Sequence, residues 1–291
     1  MRECKRRRAR SLRYAEKTEH TRIRNLRGEK MNVTYKNPGC EYSIESIMLF
    51  QTEEQSSFWS EPLLYFYPQI DKNEITGRDL AGRKEYLFEV FSDIYRSTKD
   101  ELDGKVVCYN EYFSKYRSQI EDALSDAFEL DARSLYNDLT GNITLNPICP
   151  RFLKERRFDV FCKSSEKGAL GMSLHEIIHY FWFYVWNGHF GDSYEEYETL
   201  SLKWILSEMV VEAVMSDRRL SSVNPYFPRE NGGCVYSYFQ DMMIDKNPIL
   251  KTIDKLYHDN GITDFMEAAY AYCAEHEQAI RQHIGEAENA S

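Results

Sequence analysis

Two histidines four residues apart, His175 and His179, enclose a glutamate, Glu176, in the stretch His175-Glu176-Ile177-Ile178-His179. On a helix, residues four apart lie about 40° from one another in azimuth and roughly 6 Å apart along the axis. Both imidazoles then project from one face and are able to close on a single zinc ion at about 2.0–2.1 Å. Glu176 sits about 100° round the helix from His175, poorly placed as a third ligand but within reach of a water on the metal. The spacing separates ligation from general-base work, as metal-assisted hydrolysis requires.

The helix around these residues, expected from about Ser173 to Trp186, is apolar on most sides. Leu174, Ile177, Ile178, Phe181, Trp182 and Val185 make a core-facing stripe, and Tyr180, Phe183, Tyr184 and Trp186 cover much of the rest. Two histidines and a carboxylate inside such a helix need partners, and one metal ion satisfies all three. Two other readings use the same residues. Ser173-x-x-Glu176 matches a helix capping box, which would make Glu176 structural. Buried histidines also pair with backbone carbonyls.

A catalytic zinc takes three protein ligands and a water, so a further donor is needed. No third histidine follows at the short H-x-x-G-x-x-H spacing, because Trp182 and Tyr184-Val185 occupy that region. The helix expected from about Leu200 to Asp217 offers Glu208 instead, inside an apolar stripe with Trp204, Val211 and Met215 that spans about 60° of azimuth. A carboxylate there calls for a cation or a strong donor. Glu212, one turn on, is placed to accept from a ligating histidine N–H and fix its tautomer. Two alternatives stay open: Glu208 paired with Lys203 or an arginine, and Glu212 as the ligand with Ser216 or Asp217 behind it.

With HEIIH on one helix and Glu208-x-x-x-Glu212 on a later one, the chain resembles the gluzincin branch of the zincin metallopeptidases, the thermolysin-like architecture. The match runs over about 45 residues, from Ser173 to Asp217. The resemblance implies a zincin-like domain, a Zn²⁺ cofactor held by His175, His179 and Glu208, catalysis by Glu176, and Glu212 orienting a histidine. It also implies a peptide or protein substrate, bound along an edge strand upstream of the motif helix, where Arg157–Cys162 stands. Val211-Glu212-Ala213 looks like the N-E-A of thermolysin's ligand helix and keeps Glu212 in contention. The chain departs from thermolysin in a longer gap between the motifs and in Glu, rather than Asp, as the second carboxylate. Tyr236, Tyr238 and His258 are candidates for the family's oxyanion-steadying side chain.

The elements that must position these residues read as a mostly helical α+β fold. Amphipathic helices are expected over 79–97 and 109–130, with helix-like spacing over 41–70. A turn cluster at Asp138–Asn142 precedes strand-like pieces at Ile143–Leu145 and Arg157–Cys162, so the small sheet falls beside the motif helix. Gly168 and Gly171 precede that helix, Asn224–Gly233 is a loop, and helices over 247–259 and 263–284 complete a helical C-terminal half. One domain is expected over 31–284, with a cleft between 31–195 and 196–284, a basic extension over 1–30 and a tail over 285–291.

Composition excludes several classes of protein. The chain has 291 residues, 42% hydrophobic, with a net charge of −10. Residues 1–30 hold 12 Lys/Arg against 4 Asp/Glu, and the remainder 25 against 43. The acidic body is a poor match to nucleic acid, for which the basic extension is the sole candidate. No apolar run is long enough to span a bilayer, and the N-terminus lacks the apolar core of a secretory signal. The seven cysteines are scattered and form no C-x-x-C pair, which points to a reducing, cytoplasmic setting and away from a cysteine zinc site.

Overall fold

The computed structural model describes residues 30–51 and 56–290. The basic extension, apart from Lys30, lies outside the described residues. In chain order the first elements are strand β1 (Val33–Lys36) and helices α1 (Cys40–Met48), α2 (Ser56–Phe66), α3 (Lys72–Thr76) and α4 (Leu80–Phe128). Three strands follow, β2 (Leu139–Thr144), β3 (Arg151–Phe152) and β4 (Arg157–Phe161), then α5 (Glu166–Phe190), α6 (Leu202–Met215), α7 (Arg218–Ser221) and α8 (Ser237–Gln240). The hairpin β5 (Met243–Ile244) and β6 (Asn247–Pro248) leads to α9 (Ile249–Asp259), α10 (Ile262–Glu275) and α11 (Glu277–Ala290). The fold is α+β and mostly helical, as the sequence predicts.

The site-bearing sheet has the order β1-β2-β4-β3, with the first three strands parallel and β3 antiparallel to β4. Leu139–Asn142, read from sequence as a turn cluster, is therefore strand, and β1 and β3 are strands the sequence did not announce. Arg157–Cys162 is not a free edge along its whole length: β4 pairs with β2 throughout, and its first residues, Arg157 and Phe158, also pair with β3. The edge strand beside the site is the two-residue β3.

The segments expected as separate helices over 79–97 and 109–130 form one helix, α4. The polar stretch with Gly104 between them stays helical because buried Leu102 anchors it and the pairs Lys99–Asp103 and Lys105–Glu101 bridge successive turns on its surface. At the C-terminal end the order reverses. The helix expected over 263–284 is two, broken at His276, and residues 285–290 of the expected tail belong to α11.

α5 starts two turns earlier than expected. Ser165 caps it, its hydroxyl accepting from the Gly168 N–H, so Gly168 and Gly171 lie inside the helix. They are glycines because the 224–226 segment lies against that turn: a Cβ on Gly171 would meet Asn224 Oδ1 at 2.5 Å and Pro225 Cδ at 2.9 Å. Ser173 is thus mid-helix and caps nothing. Its hydroxyl bonds the Ala169 carbonyl and the Tyr35 hydroxyl of β1, which removes the capping-box role for Glu176. α5 packs against α4, β4 and α6, and α6 is enclosed further by α9 and α10. One apolar core runs through these elements, from Met31 to Ile284.

Candidate metal centre

Three side chains converge where α5 faces α6. Ser201 caps α6, its hydroxyl accepting from Trp204 N–H, and the helix turns Glu208 into the core at 3% exposure. His175 Nε2 stands 3.2 Å from Glu208 Oε2, and His179 Nε2 stands 3.2 Å from Glu208 Oε1. The two Nε2 atoms are 3.0 Å apart. A tetrahedral ion with ligands at 2.0–2.1 Å has donor-to-donor edges of about 3.3 Å, close to this triangle. His175, His179 and Glu208 therefore form a group able to hold a metal ion.

The protonation pattern of the cluster bears on the fit. His175 Nδ1 donates to the Cys234 carbonyl at 2.9 Å, which leaves the Nε2 lone pair of the neutral ring directed at the cluster. His179 is fully buried, and its Nδ1 has no hydrogen-bond partner among the described residues. Burial first, and then the Arg151 charge, push His179 down to about 3, so it stays neutral. A shared proton bridges a single pair of these donors at a time. A divalent cation satisfies both nitrogens and the carboxylate together.

Burial raises both Glu208 and Glu176, but their net shifts are opposite. Burial raises Glu208, but the two imidazoles outweigh it and hold this carboxyl well below the usual range. Glu176, next to the cluster, is pushed up, by burial above all, against the lowering influence of Arg151 and His175. Burial alone would depress His175, yet its hydrogen bond to Glu208 and the surrounding carboxylates bring it above the ordinary histidine value.

Solvent reaches the site at His175 and Arg151. His175 keeps 21% of its side-chain surface and Arg151 keeps 11%, whereas His179 keeps none. Arg151 is a site residue that the sequence reading missed. Its Nη1 donates to Glu176 Oε2 at 3.0 Å and lies 3.9 Å from Glu208 Oε1. It reaches the site because Tyr180, on α5, donates its hydroxyl to the Arg157 carbonyl at 2.7 Å and lies 3.0 Å from the Phe152 carbonyl, fastening β3 and β4 to the motif helix. The one signal in the sequence is a lone cation in the otherwise apolar run Ile148–Leu153.

The other expected residues divide clearly. Lys203 does not pair with Glu208: it binds Asp192 and Glu196. Asp217 caps α7 and pairs with Arg219. Glu212 is not the acceptor for a ligating histidine, since His175 Nδ1 is held by Cys234 and His179 Nδ1 has no partner. Of the three oxyanion candidates, Tyr236 is the one drawn to the cluster. Burial first, then the charge of Glu208, push its phenol well above the ordinary range, and Tyr238 stacks on it at 5.2 Å. His258 is exposed on α9 and bonds the Asp254 carbonyl.

Comparisons of the chain with protein-family models, with curated proteins and with solved structures return no match.

Proposed function

We propose that the protein is a zinc-dependent metallopeptidase of gluzincin type, with His175, His179 and Glu208 as ligands and Glu176 as general base. The observation that carries the reading is the convergence of two imidazole nitrogens and a buried carboxylate on one point, with a second carboxylate of raised pKa beside them. Zinc in that position would supply a Lewis acid that lowers the pKa of a water toward neutrality and polarises a scissile carbonyl. Glu176 takes the proton of the attacking water and passes it to the leaving amine. The Cys234 carbonyl holds His175 in the tautomer that presents Nε2. Tyr236, whose phenol is raised by burial first and then by the charge of Glu208, is the candidate donor to the developing oxyanion. Among the described residues, no helix is long and apolar enough to cross a membrane.

A zinc-binding protein of the same fold without peptidase activity is the second reading, and the Arg151–Glu176 ion pair favours it, because it engages the carboxylate that has to act as base. Elemental analysis and turnover separate the two. About one zinc per chain, abolished by His179→Ala, is expected of both. Cleavage within a broad peptide library, lost by orders of magnitude in a Glu176→Gln protein that keeps its zinc, supports the peptidase. Zinc at full stoichiometry with no cleavage supports the second reading, and a chain that binds no zinc overturns both.

A further inference from the structure

Arg151 has more hydrogen-bonding capacity than the protein uses. A guanidinium carries five N–H donors in a planar fork. Nη1 is committed to Glu176, and the charge lies 5.9 Å from the centre of the Phe183 ring. Among the described residues Nε and Nη2 have no hydrogen-bond partner, and the side chain keeps 11% of its surface exposed. The strand that carries Arg151 is fastened by Tyr180, which fixes where the fork is presented. With a divalent cation on the three ligands, two carboxylates stand against three positive charges, and the site has an excess of one. Planar free donors in a partly buried, net positive site match a carboxylate.

On the zinc reading above, we propose that Arg151 is the anchor for a substrate carboxylate lying beside the scissile bond. The carboxylate belongs to the substrate's C-terminus or to an Asp or Glu side chain. A carboxylate bound by the fork competes with Glu176 for the same guanidinium, so substrate binding releases the base that the ion pair engages.

The test uses malonic, succinic and glutaric monohydroxamates, each against its uncharged amide counterpart, titrated calorimetrically into the zinc-loaded full chain. The wild type is expected to bind at least one acid about tenfold or more tighter than its amide. Arg151→Gln should lose the preference for acid over amide, with Arg151→Lys between the two. No preference in the wild type, or a preference that survives in a folded, zinc-loaded Arg151→Gln protein, overturns the proposal. If Arg151→Gln does not fold, the wild-type pair and Arg151→Lys decide. A wild type that binds no zinc sinks the underlying reading instead, whereas one that binds zinc and neutral hydroxamate without acid preference sinks this proposal alone. Short peptides competing with the bound hydroxamate identify the source. Weakening on C-terminal amidation marks the terminus, weakening on conversion of an acidic side chain to its amide marks the side chain, and indifference to both counts against the anchor.

Discussion

Glu176 and Glu208 are the same residue type on adjacent helices, and their surroundings drive them apart. Glu208 faces two imidazoles and stays ionised, as the proposed metal ligand would have to; Glu176 is desolvated and raised, as the proposed proton acceptor would have to be. Glu208→Gln is therefore expected to weaken zinc binding by about 100-fold or more, beyond the 10–100-fold typical of outer partners, while Glu176→Gln leaves it nearly unchanged. Chelator competition reads both. Zinc affinity should also follow the protonation of His175. Its value is raised, so a proton must leave for zinc to bind at and somewhat above pH 6.5, whereas Glu208 is already ionised there. Affinity should rise with pH through and above 6.5, approaching about tenfold per unit while one proton is displaced. A flat profile would contradict the raised His175.

At the scale of elements, the histidine pair and Glu176 are legible from their spacing in an apolar helix, and Glu208 because it interrupts an apolar stripe, patterns that survive without knowledge of the neighbours. Arg151 and the Cys234 carbonyl are not. The first depends on a two-residue strand with no periodicity, and the second is a main-chain group that no side-chain pattern records. The start of α5 was misplaced for a similar reason: glycines in a sequence read as a break, and only the 224–226 segment packed against them explains them as helix. Two substitutions in α5 test that explanation. Gly171→Ala should destabilise the protein by about 1–3 kcal/mol, because Asn224 and Pro225 must move. Gly188→Ala, exposed and with open space at its Cβ, should stabilise it by roughly 0.5–1 kcal/mol. Chemical denaturation of the pair reads the difference in sign; equal effects would refute the packing account.

At the scale of the molecule, the three candidate ligands join α5 to α6, two helices of the apolar core. An ion that binds only the folded chain stabilises it by mass action, about 4 kcal/mol at a free concentration 1,000 times Kd. For a chain of this size that is a rise in Tm of about 10 °C. Thermal unfolding of chelator-stripped and zinc-loaded protein should show that rise, and His179→Ala should not. The general class, mostly helical with a small sheet before the motif helix, followed from periodicity and turn residues. The strand order did not, because pairing β1 with β2 across the whole of α4 is a long-range choice that local pattern does not encode.

The site is gathered from separate stretches of chain: Arg151 on β3, the histidines on α5, Glu208 on α6 and the carbonyl of Cys234 beyond them. A ribosome delivers these in that order. A growing chain shows its histidine helix well before it holds a third ligand, and the group that orients His175 emerges later still. A product truncated between His179 and Glu208 carries the recognisable motif and an incomplete coordination sphere. The complete group of His175, His179 and Glu208 is thus available only once the chain has been made through α6.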